Sequence, residues 1–220
     1  MPAPSLRLAL LLALLLAGCR STYDAAYFRT MEALGREKRE ILVDRVDEAR
    51  ESQEEARDEF ASALDAFSAL TGFDGGELET LYRRLDDAYE RSTERAEAVA
   101  ERIDGVERVA EALFEEWERE LDEYSDDRLR RASAEQLRQT RRRYEALLAA
   151  MHRAEASMQP VLDAFQDQVL FLKHNLNARA VAALEDTAGA LETDVAALIA
   201  EMETAIAEAE RFIDDMQGGP

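Results

Sequence analysis

The sequence predicts an all-α protein, an elongated antiparallel four-helix bundle of coiled-coil character. Three observations carry this. Ala, Glu, Leu and Arg dominate, while glycine and proline number only 9 and 4 among 220 residues, a composition typical of long helices. Apolar residues recur in alternating steps of three and four, which keeps them on one helix face. Three punctuation points after an apolar leader then divide these stripes into four segments.

The first segment spans about residues 22–70. Its stripe is Leu42, Val46, Ala49, Ala56, Phe60, Ala63, Phe67 and Leu70. It ends at Thr71-Gly72-Phe73-Asp74-Gly75-Gly76, where three glycines permit left-handed backbone and a tight reversal. The second segment, about 77–124, carries Leu78, Tyr82, Leu85, Tyr89, Ser92, Ala96, Val99, Ile103, Val106, Ala110, Leu113 and Trp117. Reflection about the glycine turn pairs Leu70 with Leu78, Ala63 with Leu85 and Ala49 with Val99. Ala56 then meets Ser92, so small residues line the middle of an antiparallel helical hairpin.

Ser125-Asp126-Asp127 supplies N-cap side chains for the third segment, about 128–174. Charge supports a reversal here. Residues 115–127 hold eight acids and one arginine, and residues 128–143 hold seven arginines and one acid. Folded back, the two stretches would face each other with opposite sign, whereas a straight helix would stack like charges one turn apart. The third stripe runs Leu137, Thr140, Tyr144, Leu147, Met151, Ala154, Met158, Val161, Phe165, Val169, Leu172. Pro160 predicts a kink rather than a stop.

Lys173-His174-Asn175-Leu176-Asn177 closes that helix. Positive groups in a last turn offset the helix dipole, and Asn177 is placed to cap the next helix. The fourth segment, about 178–216, carries Val181, Leu184, Ala188, Leu191, Val195, Leu198, Met202, Ile206, Ala209 and Phe212. Reflection about Leu176 pairs Val161 with Leu191 and, to within one residue, Leu137 with Met216. The apolar face widens at Leu147/Leu148, Val161/Leu162 and Leu170/Phe171/Leu172, so more than two helices must meet. The alternative keeps segments two and three as one helix about 150 Å long, with the outer segments folded back as hairpins. That BAR-like rod would act as a membrane-shaping module and would need a dimer to cover its stripes.

The chain begins with one charged residue, Arg7, then an apolar run Leu8–Leu16, then Ala17-Gly18-Cys19. Residues 1–18 read as a signal peptide, too short to span a bilayer. Leu16-Ala17-Gly18-Cys19 resembles the bacterial lipobox, which implies lipidation of Cys19 and a mature chain of residues 19–220 forming a single long-helical domain. Cys19 is the only cysteine, so an intramolecular disulfide is excluded. By the same resemblance, Arg20 rather than an aspartate favours the outer membrane, periplasmic face.

The net charge is −21. Removing residues 1–18 loses only Arg7, leaving 26 basic against 48 acidic residues and a net charge of −22. Such a balance argues against binding nucleic acid or an anionic membrane surface through bulk charge, since phosphates would be repelled, and against a basic membrane-bending face. A di-iron bundle would need Glu-x-x-His on two helices, yet Ala149 precedes His152 and Phe171 precedes His174 at that spacing. His152-Arg153-Ala154-Glu155 has the reverse order. No nucleophile arrangement or phosphate loop stands out. The sequence therefore predicts no catalytic residues, no metal and no cofactor, and its carboxylates read as solvated helix faces.

Ala154-Glu155, Met158-Gln159-Pro160-Val161-Leu162 and the run Phe165–Ala178 are similar to a family of bacterial lipoproteins carrying a helical domain of unknown function. The likeness extends over nearly the whole mature chain, including the turns at Thr71 and Tyr124. It implies long helices and a signal peptide, and brings no activity. The expected role is a non-enzymatic, lipid-anchored periplasmic scaffold or protein-interaction module of the cell envelope, with a helical-bundle enzyme as the less favoured class. Its expected partners are the membrane, through the N-terminal anchor, and an unidentified envelope protein; homo-oligomerisation stays open. In an up-down-up-down bundle the first and third turns share the end remote from Cys19. Phe73, Lys173, His174, Asn175 and Asn177 form the candidate docking tip there.

Overall fold

In a computed structural model of the chain, the described residues are 37–72 and 77–218. The expected signal peptide at residues 1–18, Cys19 and Phe73 lie outside them. Among the described residues there are four helices: α1 (Lys38–Thr71), α2 (Leu78–Leu121), α3 (Asp127–His174) and α4 (Ala178–Gly218). α1 packs on α2, α2 on α3, α3 on α4, and α4 closes the ring on α1. At 1.5 Å per residue α3 is about 70 Å long, so the two ends of the bundle are far apart.

The helices form where the stripes lie. Every residue of the α1 stripe from Leu42 to Leu70 is buried, as are Val99, Ile103, Val106 and Ala110 of α2. Met151, Met158, Phe165 and Leu172 of α3 meet Val195, Leu198, Met202 and Phe212 of α4 in one continuous core. Ala56 and Ser92 are both fully buried, which fits the close approach that small residues allow. Ion pairs flank this seam between α1 and α2: Arg91–Glu59 at 2.8 Å, Arg95–Glu55 at 2.6 Å and Arg102–Glu48 at 2.9 Å. Lys38–Glu116 continues the series at 2.7 Å. Reflection about the glycine turn puts Thr93 opposite Glu55; the actual partner is Arg95, two residues on and within reach of a long side chain.

The α2–α3 turn decides between the two architectures. α2 stops at Leu121 and α3 starts at Asp127, so the single long helix of the BAR-like alternative does not form. Asp126 stops it: its carboxylate accepts from Arg128 N at 2.7 Å and Leu129 N at 3.2 Å, satisfying first-turn donors. The helix ends three residues before the expected Tyr124.

Three expectations need correction. The first helix does not run unbroken from residue 22, because Glu37 is extended (φ −74°, ψ 149°) and α1 begins at Lys38. Gly72 does not use the left-handed region: its φ is −81°, and its N–H closes the helix on the Ser68 carbonyl. The arginines of 128–143 do not pair wholesale with the acids of 115–127. Arg141 alone among the ion pairs crosses to that stretch, meeting Glu118 at 2.7 Å. Arg130 and Arg138 pair on their own helix and Arg143 reaches Asp215 of α4. Consecutive arginines point around the helix every 100°, so only one side can face α2. α3 runs through Pro160 without a stop.

Candidate functional site

Two places gather chemically distinctive groups. The first is the end of the bundle where α3 turns into α4. The local chain folds there through two asparagines. Asn175 Nδ2 donates to the Phe171 carbonyl at 3.0 Å, tying off α3. The Asn177 side-chain oxygen accepts from Arg179 N and Ala180 N, both at 3.1 Å, and caps α4. These two predicted tip residues therefore have structural duties. Lys173 and His174 are exposed in the last turn of α3.

The same end exposes apolar surface that the sequence reading placed inside. Leu170 is 50 % exposed, Phe171 41 % and Leu176 37 %. Of the run Leu170/Phe171/Leu172, only Leu172 enters the core. Three adjacent helical positions span about 200°, more than a core-facing stripe at the end of a bundle can cover.

The second place is midway along α2 and α3. His152 lies between two carboxylates, with Nδ1 3.0 Å from Glu155 of its own helix and Nε2 2.9 Å from Glu107 of α2. Glu155, and then Glu107, hold the imidazole above the usual histidine range, against partial burial. Beside this clamp runs a groove of about 600 Å³ whose lining includes Ala96, Ala100, Met158 and Leu162 together with Glu97 and Gln159. Both imidazole nitrogens are taken by different carboxylates, which suits a charged cross-link between helices. Among the described residues no group of three His, Cys, Asp or Glu is placed to hold a metal ion.

The clamp carries a pH dependence of stated sign. A histidine with a raised folded value stabilises the fold fully below the unfolded value of about 6.5. That contribution disappears as pH rises through the raised value. The thermal midpoint of the wild-type chain should therefore exceed that of His152→Gln most below about pH 6.5, and the gap should close in mildly alkaline buffer. A gap that stays constant across the titration would show that the clamp does not depend on charge. The effect should be small, because His152 is 46 % exposed and water screens the pair.

Above the clamp, toward the end where α1 begins, an aromatic cluster joins three helices. Tyr144 makes edge contacts with Phe114 of α2 at 5.4 Å and Phe212 of α4 at 6.5 Å. Arg141 lies over Phe114 at 5.0 Å. Burial, then Glu107 and Glu111, push the Tyr144 phenol up to about 12. Trp117 is half-buried rather than fully in the core, and its indole N–H donates to Ser133 Oγ at 2.8 Å.

A protein family described as "Protein of unknown function (DUF2959)" matches residues 27–216. The chain belongs to that family. The DUF2959 match covers α1, α2, α3 and α4 as far as Met216, so the α3–α4 turn and the His152 clamp both lie in the shared domain, while Cys19 precedes it. No curated protein matches the chain, and no solved structure does.

One buried polar residue of the DUF2959 domain escaped the sequence reading. Gln53 is fully buried in α1, and neither its amide nitrogen nor its oxygen has a hydrogen-bond partner among the described residues. The signal was present: the α1 stripe skips from Ala49 to Ala56, and steps of four and three put Gln53 on the same face.

Proposed function

We propose that the chain is a non-enzymatic, lipid-anchored helical scaffold of the bacterial envelope, held at the periplasmic face of the outer membrane. The observation that carries this reading is Leu16-Ala17-Gly18-Cys19 closing an apolar leader. Two features support it. No helix among the described residues is long and apolar enough to cross a membrane, so attachment would rest on the lipid. The antiparallel ring also puts the start of α1 and the α3–α4 turn at opposite ends of a bundle about 70 Å long. A scaffold of this kind keeps a contact point at a set distance from its anchored end. Two or more acyl chains on Cys19 would hold far more firmly than one.

The test is fractionation of cells carrying the wild-type chain or Cys19→Ser. The wild type should stay with the membranes through a high-salt wash and gain the mass of the lipid on its first mature residue. Cys19→Ser should move to the soluble periplasmic fraction. A serine variant that has lost residues 1–18 and still remains on washed membranes, or a wild-type chain without lipid mass, would overturn the anchor.

A further inference from the structure

We propose that the α3–α4 turn is a docking surface for an anionic lipid bilayer, with Leu170, Phe171 and Leu176 entering the interface and Lys173 and Arg179 meeting the head groups. The three apolar side chains are 50 %, 41 % and 37 % exposed within seven residues. They lie in the longest acid-free stretch after the leader: residues 168–184 hold no Asp or Glu, but hold Lys173, His174 and Arg179. In a chain with 48 acids among 220 residues this end stands out electrostatically from the body.

Helix stability does not account for both cations. Lys173 in the last turn of α3 offsets that helix's dipole. Arg179 lies in the first turn of α4, where a positive charge opposes the dipole and where no acid is present. Among the described residues neither Lys173 nor Arg179 makes an ion pair, whereas most arginines along the shaft do.

The shape favours a bilayer over an acidic protein. Leu170 and Phe171 are consecutive on a helix and point about 100° apart, and Leu176 lies beyond the helix end. No single groove would take all three, but a fluid interface accepts apolar groups projecting in several directions from a convex end. Asp74, Glu77 and Glu79 stand at the neighbouring α1–α2 connection and Glu185 about two turns into α4, so an anionic surface would be met by the acid-free α3–α4 turn and not by the rest of the molecule. The contact is end-on. It does not depend on acylation of Cys19.

The experiment uses the full chain in a Cys19→Ser background, which frees the single-cysteine position for a probe. Leu176→Cys carries an environment-sensitive fluorophore at the turn, and Glu145→Cys carries it on the side of α3. Each is mixed with vesicles of phosphatidylcholine alone or of equal phosphatidylcholine and phosphatidylglycerol. The leader can hold the chain to either vesicle, so the contrast between label positions and compositions isolates the turn. The turn label should brighten several-fold and shift to the blue with the anionic vesicles only, and the side label should not respond. Lys173→Glu with Arg179→Glu should weaken the response at least about tenfold, and added salt should reduce it. Leu170→Ser with Phe171→Ser should abolish it while circular dichroism stays helical. A silent turn label, an equal response to neutral vesicles, or a larger response to polyglutamate would each overturn the proposal, the last in favour of an acidic protein partner.

Discussion

Phe60→Ala is expected to destabilise the bundle by about 3–5 kcal/mol, the usual cost of removing a buried ring. Phe60 is fully buried at the middle of the α1 stripe, between Ala56 and Ala63. Its two stripe neighbours on α1 are alanines, and side chains that small cannot close over the space the ring leaves. A chain of this size loses about 2–4 °C of thermal midpoint per kcal/mol, so the midpoint should fall by roughly 10 °C. Phe171→Ala gives the contrast. That ring is 41 % exposed at the end of α3, and its removal should cost well under about 2 kcal/mol, since little area returns to water. Thermal melts of both variants in one buffer decide the matter. Equal losses would mean that α1 does not form the inner wall of the core.

Gln53→Met should act in the opposite direction and raise stability by about 1–3 kcal/mol, the desolvation cost of buried polar atoms without partners. Methionine is unbranched like glutamine and fills irregular gaps, so it keeps the volume and removes both orphaned atoms. Ser92 Oγ is buried and unpartnered too, and Ser92→Ala should stabilise by less, as one small hydroxyl is lost. A lower midpoint for Gln53→Met would show that the amide is satisfied in solution. A higher midpoint accompanied by a change in oligomeric state would show that the polar group fixes the pairing, as buried polar side chains do in some coiled coils.

The fold was legible because helix period, turn chemistry and charge all pointed the same way. The reflections about the glycine turn and Leu176 depend only on stripes that lie in the core or pack against it. Asp126 and Asn177 were readable as caps because short polar side chains before an apolar run have one common use. What escaped has two physical origins. Periodicity shows which side of a helix is apolar but not how wide the covering is near its end, so Leu170 and Phe171 were placed in the core. A stripe is also read by its apolar members, so a polar residue on it, such as Gln53, passes unseen. The arginine-rich start of α3 was misjudged because summed charge over a segment ignores the direction in which each side chain points. Asn175 and Asn177 were grouped with Lys173 and His174 as one tip, and the hydrogen bonds divide them into turn-makers and exposed charges.

The closing of the ring bears on how the chain could be rewired. Arg39, at the start of α1, donates to the Met216 carbonyl near the end of α4, so the start of α1 and the end of α4 lie side by side. The turn at residues 122–126 is exposed at that same end. A circular permutant could join α4 to α1 by a short linker and open the chain between Leu121 and Asp127. It would keep the four described helices and their antiparallel neighbours while exchanging which hairpin is made first on the ribosome. Proteins with adjacent ends and exposed turns tolerate such cuts. In this bundle the order of synthesis and the order of packing are therefore separable.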